Sequence, residues 1–184
     1  MRFLLIFLLP LFISAKVFKV ANYNVENLFD LVKQGREYKE YIPNTPSWNK
    51  QLLDMKLNHT SQVICDIEAD IIGLEEIENK NALTLLQNRL KKVGCPYRYS
   101  AITHKLGSTI QVALLSKYKI VSSKGIKVSY SDRDILEANI KIDEKMVKIF
   151  VNHWKSMGRN GVESKRIKSA KALENRILML PKGS

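Results

Sequence analysis

The stretch ADIIGLEEIEN, residues 69–79, combines a strand pattern with the start of a helix. Its apolar run Ala69–Leu74 predicts a buried strand, and the acidic residue Glu76 follows that run. Asn79 then stands in a helix-capping position, ahead of a leucine pattern with helical spacing. A strand that leads directly into a helix is typical of α/β proteins, whose ligands bind beyond the carboxyl ends of the strands.

The same periodicities predict the other elements of the chain. Strands are predicted at residues 17–24, 70–74, 97–102, 109–116, 118–128, 135–142 and 145–152, and helices at 48–67, 79–92 and 162–180. Ser47 is predicted to cap the first helix, and residues 25–47 are predicted to form a long polar loop. This order argues for an α/β layered fold, with a mixed sheet and flanking helices.

Two more polar residues follow predicted strands. Asn24 closes the apolar run Val17–Tyr23, and His153 follows the run Val147–Asn152. Because strand ends gather at one edge of a sheet, we expect both residues near Glu76. A hard cation prefers oxygen ligands, and an imidazole donates or accepts a proton near neutral pH. Together these residue types indicate metal-assisted chemistry on a phosphate ester.

The charge balance favours a polyanionic partner. The chain of 184 residues carries 30 Lys and Arg against 18 Asp and Glu, a formal net charge of +12. Nucleic acid or an anionic membrane surface would suit that excess, and a basic, well-solvated surface is the alternative. A content of 45% hydrophobic and 26% charged residues is typical of a globular protein and excludes a disordered one.

The N-terminus has the pattern of a secretory signal. Arg2 precedes the apolar segment Phe3–Phe12, and Ser14 and Ala15 offer small residues for cleavage. We expect residues 1–15 to be a signal peptide and residues 16–184 to form one domain in the periplasm or outside the cell. An uncleaved N-terminal anchor is the alternative. After cleavage, we expect no transmembrane segment, because no later apolar run is long enough.

Two cysteines, Cys65 and Cys95, leave two interpretations open. Export makes a disulfide chemically possible, whereas the apolar neighbours Val63 and Ile64 favour a buried thiol at Cys65. Without a nearby histidine pattern, the two cysteines do not make a zinc site.

Taken together, five blocks of the chain resemble the endonuclease/exonuclease/phosphatase superfamily, and most closely its exported, deoxyribonuclease-like bacterial branch. The blocks are ANYNVENLFD at 21–30, ADIIGLEEIEN at 69–79, VALLSK at 112–117, SDRDIL at 131–136 and VNHWKS at 151–156. Each block is weak alone, but together and in this order they span essentially all of the mature chain. The resemblance implies a four-layer α/β sandwich, of which this chain would form a part, and a divalent cation, Mg²⁺ or Mn²⁺.

The resemblance also implies roles for individual residues. Glu76 matches the metal-binding glutamate of the family, and Asn24 matches an asparagine that orients phosphate or a metal-bound water. His153 matches a histidine that contacts phosphate and assists the leaving group, and Arg133 matches a basic residue that pairs with phosphate. Glu75 stands where the family often has glutamine.

Basic residues around these positions have a second interpretation. Arg133 could instead form a salt bridge with a neighbouring aspartate. Lys155, Arg159 and Lys165 could extend a phosphate track or simply form a solvated basic face.

Two further family motifs are absent from the sequence. In the family, the helix matching 162–180 leads to a strand with a Gly-Asp-x-Asn motif, and a Ser-Asp-His motif follows later. We therefore expect one of three situations: a chain truncated before these motifs, a fragment completed by a second chain or by self-association through an incomplete sheet, or a part of a longer chain. A site without these motifs should lose nearly all activity.

The sequence thus predicts an exported, metal-dependent phosphodiesterase, a nuclease that hydrolyses DNA or RNA. The basic charge favours nucleic acid over a small phosphate ester. One alternative is a non-catalytic remnant that binds nucleic acid or depends on a partner. The other is a sphingomyelinase-like phosphodiesterase acting on a phospholipid.

Overall fold

A computed structural model describes residues 17–157 and 162–181. The expected signal peptide, residues 1–15, and Arg159 lie outside these residues. The strands are β1 (Val20–Leu28), β2 (Ile71–Ile77), β3 (Tyr99–Ile102), β4 (Gln111–Ser116), β5 (Lys119–Ile126), β6 (Ile135–Ile142) and β7 (Lys145–Val151). The helices are α1 (Lys50–Ile67), α2 (Lys80–Lys92) and α3 (Val162–Leu178), with a 3₁₀ turn at Lys39–Tyr41. None of the helices in the described ranges is both long and apolar enough to cross a bilayer.

The strands form two sheets. The four-stranded sheet has the order β1-β2-β4-β3 and is mixed, because β1 and β2 run parallel while the other pairs are antiparallel. The three-stranded sheet has the order β5-β6-β7 and is antiparallel. This arrangement confirms the predicted α/β fold with a mixed sheet and flanking helices.

Successive side chains of β2 point to opposite faces of the four-stranded sheet, and they therefore pack on two different layers. Ile72 and Leu74 pack against α1 and α2, whereas Ile71 packs against residues of the three-stranded sheet such as Ala138. These β2 side chains are fully buried, and each contributes about 1.5–3 kcal/mol by leaving water. Glu137 of β6 points away from this inter-sheet core, and its carboxylate accepts a hydrogen bond from Arg176 of α3. The order of layers is therefore two helices, four strands, three strands and one helix.

A close approach between the two sheets occurs at Gly73 of β2. A Cβ atom there would lie 2.7 Å from Oδ1 of Asn22 and 3.1 Å from Cγ1 of Val151. Val151 is the last residue of β7, two positions before His153. The absence of a side chain at Gly73 therefore lets the end of β7 lie over the ends of β1 and β2.

The start of α1 differs from the prediction. Ser47 does not cap the helix, because backbone hydrogen bonds between Thr45 and Trp48 form a turn there. The buried Trp48 indole donates to the carbonyl of Asp30 at 3.0 Å. Asn49 caps α1 instead, and its side chain accepts from the backbone N–H groups of residues 51 and 52.

The first strand also lies further along the chain than predicted. Val17 and Val20 are exposed, whereas Val25 and Leu28, which were predicted to belong to a loop, are buried. The strand continues to Leu28 through a bulge in which residues 26 and 27 have positive φ angles of 52° and 67°. An extra residue of this kind breaks the alternation on which the strand prediction depended.

Cys65 and Cys95 are joined by a disulfide, so the buried-thiol interpretation is wrong. The bond connects the last turn of α1 to the segment after α2. Its partners are separated by 30 residues. A loop of that size makes the disulfide worth about 4 kcal/mol through the entropy of the unfolded chain.

Candidate active site

Three of the residues singled out from the sequence meet at one place. Nδ2 of Asn24 donates a hydrogen bond to Oε1 of Glu76 at 3.1 Å. Nε2 of His153 lies 3.4 Å from the same oxygen and 3.9 Å from Oε2 of Glu75. The ends of β1 and β2 and the segment after β7 thus bring an amide, two carboxylates and an imidazole together.

A bulge in β2 explains how two adjacent glutamates face the same histidine. In a regular strand, neighbouring side chains point to opposite faces of the sheet. Glu76 has a φ of 67°, and the register with β4 shifts between Glu75 and Ile77. The bulge turns Glu76 back toward the side on which Glu75 lies.

A second amide–carboxylate pair lies beside the first. Nδ2 of Asn22 donates to Oε1 of Glu75 at 2.8 Å. The sequence assigned no role to Asn22, although a signal was present: Asn22 and Asn24 are two residues apart in a strand and therefore share a face. Glu75 was noted only as a departure from the family pattern, and the structure places its carboxylate in the cluster.

The orientation of Asn24 is set by a local contact and a neighbouring cation. Its Oδ1 accepts from the backbone N–H of Glu26 at 2.9 Å, and Nζ of Lys56 donates to the Glu26 carbonyl at 3.0 Å. Burial lowers the pKa of Lys56, while the negative charges of Glu26 and Glu76 act to raise it. A cation is therefore held next to the carboxylates by α1.

His153 is held in its neutral form at neutral pH. Burial lowers its pKa, and the charge of Arg133 adds to that effect, while Glu75 and Glu76 oppose it. Its Nδ1 is buried and has no hydrogen-bond partner among residues 17–157 and 162–181. A neutral imidazole donates a hydrogen bond through one nitrogen and can accept a proton at the other, which suits general acid–base catalysis.

A cavity of about 380 Å³, here called the basic cavity, adjoins the cluster. His153 lines it together with Arg133, Lys155 and Lys165, so the structure brings the predicted phosphate-binding groups to one place. Lys105 is a fourth basic residue in its wall. Guanidinium and ammonium groups arranged in this way favour a bound phosphate.

Arg133 is available for such an anion. The neighbouring aspartates bond elsewhere, because Asp134 pairs with Nζ of Lys105 at 3.3 Å and Asp132 accepts from Oγ of Ser129 at 2.5 Å. In the described part of the chain, no carboxylate pairs with Arg133, which contradicts the salt-bridge interpretation.

The oxygen donors fit a magnesium-type ion better than a softer metal. No group of three His, Cys, Asp or Glu side chains in the described ranges could hold a metal ion. Mg²⁺ retains several waters and needs only one or two carboxylates from the protein. Glu76 offers Oε2, which no described residue hydrogen-bonds, and the carboxylate of Glu75 lies next to it.

The molecule is thus a layered α/β sandwich with carboxylates, a histidine and a basic cavity at one end of its strands. The chain belongs to the endonuclease/exonuclease/phosphatase family, whose sequence model matches residues 19–180. Members of this superfamily are phosphodiesterases or nucleases. No curated protein sequence matches the chain significantly.

Solved structures share the fold at low sequence identity. An endonuclease/exonuclease/phosphatase family protein from Leptotrichia buccalis C-1013-b has a TM-score of 0.59 and 12% identity, over 91% of this chain and 63% of its own. A humanized TDP2 of D. rerio has a TM-score of 0.61 and 12% identity, over 89% and 61%. A beta toxin from Staphylococcus aureus, a β-hairpin deletion mutant, has a TM-score of 0.59 and 16% identity, over 90% and 63%.

At such low identity the similarity shows the fold alone, and the chain spans 61–63% of the length of these three structures. A further structure of the S. aureus beta toxin, with a TM-score of 0.52, contains bound magnesium ions.

Proposed function

We propose that this protein is an exported, metal-dependent phosphodiesterase, a nuclease that hydrolyses DNA or RNA with Mg²⁺ or Mn²⁺. One observation carries the proposal: the cluster of Asn24, Glu76 and His153 directly adjoins the basic cavity that contains Arg133. A site for a hard cation thus lies next to a site for an anion, and a metal-assisted phosphodiester cleavage requires both.

Glu76 is the residue that would hold the cation, through Oε2 and with Glu75 beside it. Once bound, the cation would neutralise phosphate charge and lower the pKa of a coordinated water. Asn24 fixes the Glu76 carboxylate by its 3.1 Å hydrogen bond. Asn22 fixes Glu75 in the same way at 2.8 Å. Carboxylates that are already oriented lose less entropy when they bind an ion.

His153 and Arg133 are the residues that would act on the phosphate. Arg133 presents a planar fork of donors to two phosphate oxygens. His153 reaches both Glu76 and the cavity, so its imidazole can donate a hydrogen bond to a phosphate oxygen, and once it has accepted a proton it can pass that proton to the leaving oxygen. Because burial lowers its pKa, His153 would enter the reaction as the neutral imidazole, with one nitrogen free to accept a proton.

Charge and the disulfide support the remaining parts of the proposal. The basic cavity is lined by four cationic side chains against one carboxylate, Asp132, and polyanion binding strengthens with each cationic contact. The Cys65–Cys95 bond is typical of an oxidising compartment, which agrees with export to the periplasm or the cell exterior.

The test is hydrolysis by the purified chain with Mg²⁺, Mn²⁺ or EDTA. Supercoiled plasmid, single-stranded RNA and bis(4-nitrophenyl) phosphate serve as substrates, the last because it contains a single phosphodiester. We expect Glu76→Ala to lower the rate by more than about 100-fold, because loss of a ligand costs more than loss of a residue that orients one. Glu144→Ala, which alters an exposed hairpin carboxylate, is the matched control.

Two results would contradict the proposal that the protein is a nuclease. Equal rates for Glu76→Ala and the wild type would show that Glu76 holds no essential cation. Salt-sensitive binding of the plasmid without hydrolysis under any metal condition would instead support the non-catalytic alternative.

A further inference from the structure

A second cavity of about 420 Å³ lies on the far side of the loop that connects β3 and β4. The residues that line both this second cavity and the basic cavity include Lys105, Leu106, Ser108 and Thr109. The β3–β4 loop is therefore a common wall, with the basic cavity on one side and the second cavity on the other.

The second cavity has an excess of positive charge. Arg36 and Lys80 line it, and neither forms an ion pair with another described residue. Its one carboxylate, Glu78, is buried and accepts from the backbone N–H of Asp30 at 2.9 Å. Two uncompensated cations facing one concave surface favour an anion there.

The common wall is held in shape by a buried glutamine. Oε1 of Gln111 accepts from Oγ1 of Thr103 at 2.9 Å and from the backbone N–H of Lys105 at 3.0 Å. Its Nε2 donates to the carbonyls of Lys105 and Ser108. The loop is therefore bonded from within, and both cavities keep their shape before a ligand binds.

An aromatic side chain stands at the edge of the basic cavity. Tyr130 lines that cavity with 94% of its surface exposed. A nearly bare ring beside a cationic groove is the arrangement on which bases of single-stranded nucleic acid stack. An inorganic polyphosphate has no bases, so it could not stack on the Tyr130 ring.

We propose that the second cavity binds a backbone phosphate of a single-stranded nucleic acid whose neighbouring phosphodiester lies in the basic cavity. The strand then crosses the β3–β4 loop between Lys105 and Thr109. This inference rests on the proposed function and adds to it that the substrate is a strand with several phosphates. A single-phosphate ester fills one cavity and leaves Arg36 and Lys80 without a partner.

The test measures binding by fluorescence anisotropy in EDTA, so that hydrolysis does not interfere. The probes are a labelled thymidine dinucleotide, with one phosphodiester, and a labelled thymidine octamer. The variant is the double substitution Arg36→Ala and Lys80→Ala. Its matched control is Lys91→Ala and Lys92→Ala, which removes the same charge from the exposed end of α2.

We expect the variant to bind the octamer about tenfold more weakly and the dinucleotide as the wild type does. The slope of log affinity against log salt should fall by about 0.7 for the octamer, since the variant loses the contact to one phosphate and each such contact to a single strand contributes about 0.7. Tyr130→Ala should weaken octamer binding as well, and Tyr130→Phe should not, because only the ring face is needed.

Several results would overturn the inference. One is an octamer affinity that falls equally in the variant and the control. Another is a wild type that binds the dinucleotide as well as the octamer, which removes the second subsite but leaves the proposed function intact. A third is that the variant binds phosphatidylserine vesicles more weakly but binds the octamer as the wild type does. That result would mean that Arg36 and Lys80 contact a membrane surface and not a nucleic acid. A wild type that binds neither probe would count against the nucleic-acid function itself.

Discussion

The two sheets differ in how well helices cover them. The four-stranded sheet with α1 and α2 is here called the supported half, and the three-stranded sheet with α3 is the other half. The four-stranded sheet is covered by α1 and α2, which bury leucines such as Leu57 and Leu86, and a disulfide joins α1 to the segment after α2. On the three-stranded sheet, α3 buries only Ser169 among its residues, and Leu178 is 76% exposed. The apolar spacing at the end of the chain predicted the helix α3 correctly, but Ile167 and Ile177 of its apolar face are about half exposed.

The difference matters because the candidate site takes residues from both halves. Asn24 and Glu76 belong to the supported half, whereas Arg133 and His153 belong to the other. The groups assigned to the cation are therefore held by a dense core, and the groups assigned to the phosphate depend on how the second sheet docks. Substitutions in each half should therefore have different effects, and the largest is expected at the disulfide.

Removal of the disulfide should destabilise the supported half most. We expect Cys65→Ala with Cys95→Ala to lower the free energy of unfolding by about 4 kcal/mol, because the reduced chain gains the entropy of an open 30-residue loop. Urea denaturation of the variant and the oxidised wild type measures the difference. An unchanged denaturation midpoint would show that the bond contributes nothing to this half.

The pH dependence of stability should report the buried carboxyl beside β2. Burial raises the pKa of Glu78 from 4.5 to about 7, and the nearby charges of Asp30 and Glu37 act in the same direction. Because the folded state holds this proton more tightly than the unfolded chain does, the free energy of unfolding should fall as pH rises from 4.5 to 7. The fall is on the order of 3 kcal/mol, with no further loss from this group above pH 7.

Glu78→Gln supplies the comparison for that prediction. The amide keeps the acceptor for the backbone N–H of Asp30 but carries no titratable proton. The difference in stability between wild type and variant should therefore change between pH 4.5 and 7. Parallel stability curves for the two proteins over that range would contradict a raised pKa.

A substitution at Gly73 tests how closely the two sheets must pack. We expect Gly73→Ala to destabilise the protein by about 1–3 kcal/mol, because its Cβ would meet Asn22 and Val151 at 2.7 and 3.1 Å. The same change should slow phosphodiester hydrolysis, since it displaces the end of β7 that leads to His153. Gly125→Ala is a suitable control, because a Cβ there meets its nearest atom, of Asp134, at 3.4 Å. Similar stability and hydrolysis in both variants would mean that the sheets tolerate a wider separation.

The smallest effect is expected at α3 itself. Nε and Nη2 of Arg176 donate to both oxygens of the buried Glu137 at 2.6 and 2.7 Å. Arg176→Met should speed amide hydrogen exchange within α3 and leave α1 and α2 protected, because Lys124 and Lys148 still neutralise Glu137. Lys171→Met, on the exposed side of α3, is the control. Equal exchange in α3 for both variants would show that the ion pair does not hold the helix.

Local sequence patterns predicted the parts of the fold that local physics decides. Asn79 caps α2, and Leu83, Leu86 and Leu90 are buried, as their spacing indicated. The hairpin between β6 and β7 turns at residues 143–144, where a polar pair interrupts two apolar runs. Each of these features depends on residues only a few positions apart.

Features set by distant contacts could not be predicted in the same way. The cap at Asn49 depends on a turn between Thr45 and Trp48, and the disulfide depends on how α1 packs on α2. In the candidate site, strand ends indicated that Asn24 and Glu76 would meet. The bulge within β2 that turns Glu76 toward Glu75 could not be predicted, because the residue types around Glu76 do not show where the register with β4 will shift.

The central claim is that the carboxylate of Glu76 holds a divalent cation beside the basic cavity. Anomalous diffraction from a crystal of the protein soaked in Mn²⁺ tests it directly, without relying on turnover. We predict a manganese peak in bonding contact with Glu76, within reach of Glu75, that disappears in Glu76→Gln crystals. Manganese bound only elsewhere on the protein, or a peak that persists unchanged in the variant, would contradict the account.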